Sequence, residues 1–325
     1  MFESYFGLSG QPFQLSPDPA FFYGSRGHKR AYAYLQYGLY QGEGFIALTG
    51  EVGAGKTTLI RSLLQEVASK NVVIAAQLVS TQLDADNLLR AVATAFGLAV
   101  KEQDKAGILA ELEAYLVSLV TQNQRAVLIV DEAQNLTPRA LEELRMLSNF
   151  QLQNRALLQS FLVGQPELRQ LMRSPGMRQL RQRVIASYHL GPLDSDETRA
   201  YIEHRLKQVG WKGDPEFHGD VFPVVHAYSG GIPRRINTVC TRVLLGAFLT
   251  EQHSITVQTV EQVIGELAEE LGESTDGAPS GGLNGGDHPA LEDRILGVER
   301  AMATTVKLLR EVIRARPQAD AKKVP

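Results

Sequence analysis

The sequence lacks the residues on which disulfide-stabilised and zinc-binding proteins depend. Cys240 is the only cysteine among 325 residues, so an intramolecular disulfide is impossible and a cysteine-based zinc site is excluded. The seven histidines are scattered without the spacing of metal ligands. This composition is typical of a protein from a reducing compartment.

Long apolar runs and a strong charge imbalance are also missing. No apolar segment approaches the ~20 residues that are needed to span a bilayer. The first ten residues, "MFESYFGLSG", carry Glu3 and no basic region ahead of an apolar stretch, so they do not predict a signal peptide. A net charge of −3 provides no global basic field for nucleic acid or an anionic membrane. Together these absences predict a cytoplasmic protein.

The sequence does contain short apolar runs that alternate with helical patterns. The runs that predict buried strands are 44–50, 71–79, 125–131, 157–164 and 183–190. Helical patterns such as "TTLIRSLLQEVASK" and "ADNLLRAVATAFGL" separate most of them. Because strands that are buried on both faces are typical of parallel sheets, this order predicts an α/β fold. We expect a five-stranded parallel sheet that is flanked by helices.

The strand patterns stop near residue 194, where a second unit begins. We expect an N-terminal segment at 1–44, an α/β core at 45–193 and a small all-α lid domain at 194–271. Ser195, which two acidic residues follow, is predicted to cap the first helix of that lid.

The composition changes again at the end of the chain. Residues 272–290 are rich in Gly, Ser, Asn, Asp and Pro, which predicts a flexible linker. Residues 291–325 carry apolar side chains at three- and four-residue steps, which predicts an amphipathic C-terminal helix for self-association or partner docking. A frayed surface helix or a disordered tail is the alternative.

The stretch "GEVGAGKT" matches the phosphate-binding pattern G-x-x-x-x-G-K-[ST] and lies between a predicted strand and a predicted helix. Its glycines let successive backbone N–H groups meet phosphate oxygens in one concavity, beside the positive end of the helix. Lys56 is expected to contact the β- and γ-phosphates, and the Thr57 hydroxyl to ligate Mg²⁺. A glycine-rich turn that binds nothing is the alternative. The predicted nucleotide-binding residues of this loop are Gly50, Glu51, Val52, Gly53, Ala54, Gly55, Lys56, Thr57 and Thr58.

Two acidic residues stand at the end of the predicted strand 125–131. Asp131 ends the apolar run and, beside the phosphate-binding loop, is expected to hold Mg²⁺ through water. Glu132 follows one residue further out and is suited to orient and deprotonate an attacking water. Two solvated acids at a strand end are the alternative, but the pairing with the phosphate-binding loop favours catalysis.

Gln165 follows another apolar run and precedes Pro166. Its side chain should lie at the C-terminal edge of the sheet, where ligands bind in open α/β folds. We therefore expect Gln165 to sense the γ-phosphate or to position water. A cap on the next helix is the alternative.

An arginine cluster precedes the last predicted strand. A guanidinium that is offered to the nucleotide of a neighbouring subunit would stabilise the charge that develops during phosphoryl transfer. We favour Arg183 for this role and place Arg181 second; a solvated or salt-bridged basic helix is the alternative. The cluster consists of Arg169, Arg173, Arg178, Arg181 and Arg183.

In the lid, "YSGGIPRRIN" predicts a glycine turn followed by a helix that Pro233 begins. Arg234 and Arg235 fall in the first turn of that helix, where the helix dipole disfavours cations. An anionic partner would compensate, and Arg234 reaching back to the nucleotide would find one. A capping turn with exposed arginines is the alternative.

Taken in chain order, these segments resemble an AAA+ ATPase. Residues 1–270 are similar to the general secretion pathway protein A family. The similarity rests on the loop at 50–57, on "VLIVDEAQ", "LVGQPEL", "LRQRV" and "GGIPRRIN", and on the N-terminal "YFGLSGQPFQLSPDPAFFYGSRGHKRAYAYLQYGLYQGEGF". Two segments resemble a narrower group, the secretion ATPases of exosortase/PEP-CTERM exopolysaccharide loci. They are "AAQLVSTQLDADNLLRAVATAFGL" and "RMLSNFQLQNRALLQSFLVGQPE". The MSHA pilus biogenesis ATPase is a near relative.

The resemblance implies a P-loop AAA+ domain that hydrolyses ATP with Mg²⁺ in a homo-oligomer, for which a ring is one arrangement. It implies partners among envelope export or polysaccharide assembly proteins rather than nucleic acid, and a cytoplasmic location that extends to the inner face of the membrane. It also places Tyr23 to His28 near the adenine. Long members continue into a transmembrane segment and a periplasmic peptidoglycan-binding domain. Here we expect membrane contact through partners and no direct cell-wall binding.

The favoured hypothesis is an ATPase that drives or regulates the assembly of an envelope secretion or exopolysaccharide export system. The alternative is a DNA-associated AAA+ ATPase of the initiator or transposition-helper type. The segment "GGIPRRIN" resembles the sensor region of such proteins. The acidic net charge and the lack of a segment long enough for a winged-helix domain argue against it. A nucleotide-binding scaffold without turnover is a third interpretation.

Overall fold

The structure of the chain, a computed structural model, describes residues 2–16, 18–68, 72–79, 83–100 and 104–271. The helices are α1 (Phe2–Tyr5), α2 (Arg26–Gln41), α3 (Lys56–Ala68), α4 (Ala85–Ala95), α5 (Lys105–Thr121), α6 (Pro138–Leu147), α7 (Pro166–Arg173), α8 (Arg178–Arg181), α9 (Ser195–Gln208), α10 (Val221–Ser229), α11 (Pro233–Leu249) and α12 (Val257–Leu271). The strands are β1 (Phe45–Gly50), β2 (Val73–Val79), β3 (Arg125–Asp131), β4 (Gln151–Leu152), β5 (Arg155–Ala156), β6 (Leu158–Gly164), β7 (Val184–Leu190), β8 (Glu216–Phe217) and β9 (Ser254–Ile255). Short 3-10 turns lie at Pro19–Phe21, Ala133–Asn135 and Pro175–Met177.

The central sheet has the spatial order β2-β3-β6-β1-β7, and all its neighbouring strands are parallel. This confirms the predicted five-stranded parallel sheet. Because the strands run in one direction, their carboxyl ends lie at one edge of the sheet. That edge carries Gly50, Asp131 and Gly164, which end β1, β3 and β6.

Both faces of the sheet are covered by helices, which explains why its strands read as continuous apolar runs. On β1, Phe45 and Ala47 pack into a core with α4, α5, α6 and α7. Ile46 and Leu48 point to the opposite face and pack into a core with α2 and α3. The phosphate-binding loop therefore follows a strand that is fixed from both sides.

A third core belongs to the lid, and the N-terminal segment contributes to it. Helices α9 to α12 supply most of its apolar side chains, including the fully buried Ile236 and Leu244. Phe6 and Phe13, both nearly buried, come from the first thirteen residues. The beginning of the chain is thus packed against the lid, within the single compact unit to which the described residues belong.

Two details of the lid differ from the sequence-based expectations. The lid is not purely helical, because β8 and β9 form a two-residue parallel pair between its helices. Strands this short leave no periodic pattern in the sequence. The prediction that Ser195 caps the first lid helix is wrong: Asp194 is the cap, its carboxylate accepts the N–H of Glu197 at 2.8 Å, and the two side chains form a capping box.

The predicted linker 272–290 and the predicted helix 291–325 lie outside the described residues. Within the ranges that are described, no helix combines the length and the apolar composition that crossing a membrane requires.

Candidate active site

The phosphate-binding loop connects β1 to α3 and adopts a backbone path that requires glycine. Gly53 and Gly55 have φ angles of +83° and +96°, a region that residues with a side chain rarely adopt. A Cβ on Gly53 would also stand 2.3 Å from Cβ of Arg234, the second residue of α11. The loop and the start of this lid helix therefore approach each other so closely that no side chain fits at position 53.

Lys56 opens α3 and is only 6% exposed. Its Nζ donates to the carbonyl oxygens of Gly50 at 2.7 Å and Glu51 at 2.9 Å. Burial lowers the pKa of Lys56, while the nearby carboxylates of Glu132 and Asp131 act in the opposite direction. A buried cation whose direct partners are two neutral carbonyl groups is suited to receive an anion.

Asp131 and Thr57 meet beside this lysine. The Thr57 hydroxyl donates to Oδ2 of Asp131 at 3.1 Å, and the backbone N–H of Glu132 donates to Oδ1 at 3.0 Å. Asp131 is buried, because it ends β3, a strand with neighbours on both sides. A hydroxyl and a carboxylate at contact distance are the hard oxygen ligands that Mg²⁺ prefers, so these two residues fit the magnesium that the sequence predicts.

Glu132 is held between two glutamines. Gln134 Nε2 donates to its Oε2 at 2.6 Å, and Gln165 Nε2 donates to the same oxygen at 3.1 Å. The Oε1 of Gln134 in turn accepts the backbone N–H of Gln165 at 3.0 Å, which closes a small network. Burial would raise the pKa of Glu132, but these bonds and the charge of Lys56 outweigh it and lower the pKa. The carboxylate is therefore ionised at neutral pH.

A cavity of about 260 Å³ lies where the loop, the lid and the N-terminal segment meet. Its volume is close to the lower end of the range of roughly 300–1,000 Å³ that small-molecule sites occupy. Glu132, which follows β3, and Arg234, which lies in α11, also line the cavity. The loop contributes Val52, Gly53, Gly55, Lys56, Thr57 and Thr58 to that wall.

Three loop residues take part through their backbone instead. Gly50 and Glu51 accept from Lys56, as described above, and the Ala54 carbonyl oxygen is 3.1 Å from Nε2 of His28. His28 is buried, its Nδ1 is 2.7 Å from the Ser25 hydroxyl, and burial lowers its pKa. His28 and Tyr23 both line the cavity, and their position near an adenine stays a prediction.

The favoured arginine lies apart from this site. Arg183 does not line the cavity; its Nη1 donates to the Ser148 hydroxyl at 2.7 Å. Arg181 is exposed and donates to the Arg173 carbonyl oxygen at 2.6 Å. Since a single subunit does not show what either group meets in a neighbour, the choice between them stays a prediction.

The sequence analysis did not single out several residues of this region. Gln134 is part of the quoted "VLIVDEAQ", but its contact with Glu132 depends on the 3-10 turn at Ala133–Asn135. The remaining cavity-lining residues of the lid occupy ordinary positions in α9 and α11, so no local sequence pattern marks them. The further cavity-lining residues include Gln14, Phe21, Tyr201, Arg205 and Asn237.

The chain is similar to a known domain family and to a characterised protein. Residues 39–172 match the family model for the AAA domain. The chain is 42% identical, over 256 residues, to the general secretion pathway protein A of Aeromonas hydrophila. This alignment covers 78% of the chain and 46% of that protein, so the chain spans less than half the length of the relative.

Solved structures share the fold at low sequence identity. Cdc6p from Pyrobaculum aerophilum is 16% identical with a TM-score of 0.60, over 81% of this chain and 70% of that one. A subunit of Drosophila ORC bound to DNA is 19% identical with a TM-score of 0.56, over 76% of this chain and 62% of that one. At these identities the likeness shows the fold alone.

The sheet, the phosphate-binding loop and the domain match define the class: the chain carries an AAA domain and has the fold of a P-loop nucleoside triphosphatase. Over 256 residues the chain is also similar, at 42% identity, to a general secretion pathway protein A.

Proposed function

We propose that this chain is a Mg²⁺-dependent ATPase. The observation that carries the proposal is the setting of Glu132, an ionised carboxylate that two glutamine amides hold at the wall of the cavity that contains Lys56. A carboxylate in this position can accept a hydrogen bond from a water molecule and then its proton. A scaffold that only binds nucleotide has no use for this network.

The roles of the residues follow from their contacts. Lys56 exchanges its two carbonyl partners for β- and γ-phosphate oxygens, and the loop N–H groups bind the remaining oxygens. Thr57 and Asp131 would hold Mg²⁺, which when bound neutralises charge on the phosphates. Water attacks the γ-phosphorus, the bond to the bridging oxygen breaks, and Glu132 takes the proton, which gives ADP and phosphate.

Three other groups assist this reaction in our proposal. Gln165 keeps Glu132 in place and is within reach of the γ-phosphate, as its direct bond to the carboxylate suggests. Arg234 lines the cavity from the lid and binds the phosphates from that side. Arg183 acts on the nucleotide of a neighbouring subunit in a homo-oligomer, which requires that oligomer to form.

The biological setting that we propose is the assembly or regulation of an envelope secretion or exopolysaccharide export system. The similarity to general secretion pathway protein A supports the secretion part of this role. The narrower placement with exosortase/PEP-CTERM loci rests on the resemblance of the sequence segments given above. We expect the protein in the cytoplasm, with partners that bring it to the inner face of the membrane.

A phosphate-release assay on the purified protein tests the enzymatic proposal. We expect ATP turnover that requires added Mg²⁺ and is abolished by EDTA. Lys56→Ala should lose both nucleotide binding and turnover, because the cation that meets the phosphates is gone. Nucleotide binding by the wild-type protein without phosphate release would refute the ATPase and leave a scaffold.

One observation favours a second candidate, a DNA-associated ATPase. Arg173, Arg178 and Arg181 are exposed together on α7 and α8. Phosphate contacts release counterions, so binding of duplex DNA through this cluster would weaken steeply with salt. We expect no such binding. A pull-down in ATP that recovers export or polysaccharide assembly proteins supports the favoured role, whereas salt-dependent DNA binding that Arg178→Ala weakens supports the second.

A further inference from the structure

Residues 12–16, which we call the strap, run between the lid and the cavity. Three consecutive strap carbonyl oxygens accept hydrogen bonds from lid side chains. Arg205 Nε donates to Pro12 at 2.5 Å, Thr241 Oγ1 to Phe13 at 3.4 Å and Arg205 Nη2 to Gln14 at 3.1 Å. Since the Phe13 ring is also buried in the lid core, the strap is attached to the lid.

Arg205 is the centre of this attachment. It projects from α9, is 7% exposed and, among the described residues, forms no salt bridge. Its third nitrogen, Nη1, donates to the Tyr201 hydroxyl at 3.0 Å, and its guanidinium lies 4.9 Å from the centre of the Phe21 ring. All three nitrogen positions of the fork are therefore used inside the protein, which a lysine could not reproduce.

The strap and its attachment form one wall of the cavity, and the phosphate-binding loop forms another. Gln14, Leu15 and Ser16 line the cavity, together with Phe21 and the lid residue Arg205. Leu15 exposes 58% of its surface, unlike the buried Phe13 beside it. Leu15 and Phe21 give this wall an apolar and an aromatic surface, and Gln14 and Ser16 add polar groups. This mixture matches the flat face and the polar edge of a nucleobase rather than phosphate.

We propose that the strap is the base-binding wall of the nucleotide site and that Arg205 is the positioning residue that sets it. The ligand class is a purine nucleoside triphosphate, and the inference rests on the proposed nucleotide binding. Because Arg205 holds both the strap backbone and the Phe21 ring, its loss should loosen contacts with the base and leave contacts with the phosphates intact.

The test compares two probes, ATP and inorganic tripolyphosphate, which has no base. Arg205→Lys keeps the charge but cannot make the forked contacts, so we expect it to weaken ATP binding about tenfold, equivalent to ~1.4 kcal/mol. Binding of tripolyphosphate should stay at the wild-type value. Lys56→Ala is the matched control and should weaken both probes.

Leu15→Ser provides a second variant that folding defects do not obscure, because Leu15 is exposed and does not belong to the lid core. It should also weaken ATP binding severalfold and leave tripolyphosphate unaffected. Equal losses for both probes, or unchanged ATP binding in both variants, would overturn the role of the strap. If the wild-type protein binds neither probe, the proposed function itself fails, which is a distinguishable result.

Discussion

At the scale of single residues, Glu132 has an unusual backbone. Its φ of +51° lies in the left-handed region, which residues other than glycine rarely occupy and which costs of order 1–3 kcal/mol. The buried Asp131 carboxylate accepts its N–H, and the two glutamines hold its side chain. Such a conformation persists where the surroundings impose it, and here it directs a carboxylate to the cavity wall.

A glycine pair tests how closely the loop and the lid approach each other. Gly53→Ala places a methyl group against Arg234, whereas Gly97→Ala has a similar φ of +86° and no atom within 4 Å of the new Cβ. We expect Gly97→Ala to cost about 1 kcal/mol of unfolding free energy, from the backbone alone. Gly53→Ala should cost more and also weaken ATP binding. If the two variants had equal unfolding midpoints in urea and equal affinities for ATP, the close contact between Gly53 and Arg234 would be contradicted.

His28 predicts an effect of pH on stability. Its pKa is lowered in the folded protein, chiefly by burial, although the Ala54 carbonyl group and Glu197 partly oppose this. Protonation therefore favours the unfolded chain: the stabilisation is present above the ordinary pKa of about 6.5 and is lost as the pH falls below it.

We expect the wild-type free energy of unfolding to drop more between about pH 7.5 and pH 5.5 than that of His28→Gln, since glutamine does not titrate in this range. Glutamine also keeps an amide that can donate to the Ala54 carbonyl group. Urea titrations at both pH values measure the difference. Parallel losses in the two proteins would mean that His28 does not control this response.

At this scale the sequence predicts much of the site. The phosphate-binding loop and the acidic pair are local patterns, and the structure places Lys56, Thr57, Asp131 and Glu132 together. Gln134 could not be assigned, because its role depends on a turn and on the backbone conformation of its neighbour. Which residues perform chemistry stays a prediction until turnover is measured.

At the scale of elements, α9 determines the position of Tyr201 and Arg205 and depends on its N-terminal cap. Asp194→Ala removes the capping box and an ion pair with Arg26. We expect a loss of about 1 kcal/mol of unfolding free energy. Asp220→Ala is the matched control, because Asp220 precedes α10 without making a cap bond, and it should change stability by less than about 0.5 kcal/mol. Equal effects of the two substitutions would contradict the cap assignment.

The elements that could be predicted from sequence are those with long periodic patterns. All five strands of the sheet were predicted from apolar runs, and the start of α11 followed from Pro233. The attachment of the strap could not be found this way, because Arg205 and Pro12 are 193 residues apart. No local pattern encodes a contact at that separation.

At the scale of the whole molecule, the described residues form three cores, and the cavity is lined from the lid core by Tyr201 and from the α2–α3 face by Phe22. Two belong to the faces of the sheet and the third unites the lid with the N-terminal segment. The start of α11 touches the phosphate-binding loop, where the backbone N–H of Arg234 donates to Gly53 at 3.2 Å. A change in the position of the lid would therefore alter the proposed nucleotide site on two sides, at Arg234 and at the strap.

The proposed oligomer predicts complementation between inactive subunits. If Arg183 acts on a neighbour, Arg183→Ala should lower turnover about 10³-fold. A mixture with Glu132→Gln, which retains Arg183, should regain activity, because some interfaces then combine an intact Glu132 with an intact arginine. Arg181→Ala is the control and should keep its activity. Turnover that does not depend on protein concentration, with no recovery in the mixture, would contradict action across an interface.

The most direct test of the central claim is the Glu132→Gln variant itself, measured for ATP binding and for turnover in parallel. The account predicts nearly unchanged ATP affinity and a kcat reduced by about 10²–10⁴, the contribution of a positioned general base. A variant that hydrolyses ATP at the wild-type rate would show that this carboxylate does not activate the attacking water.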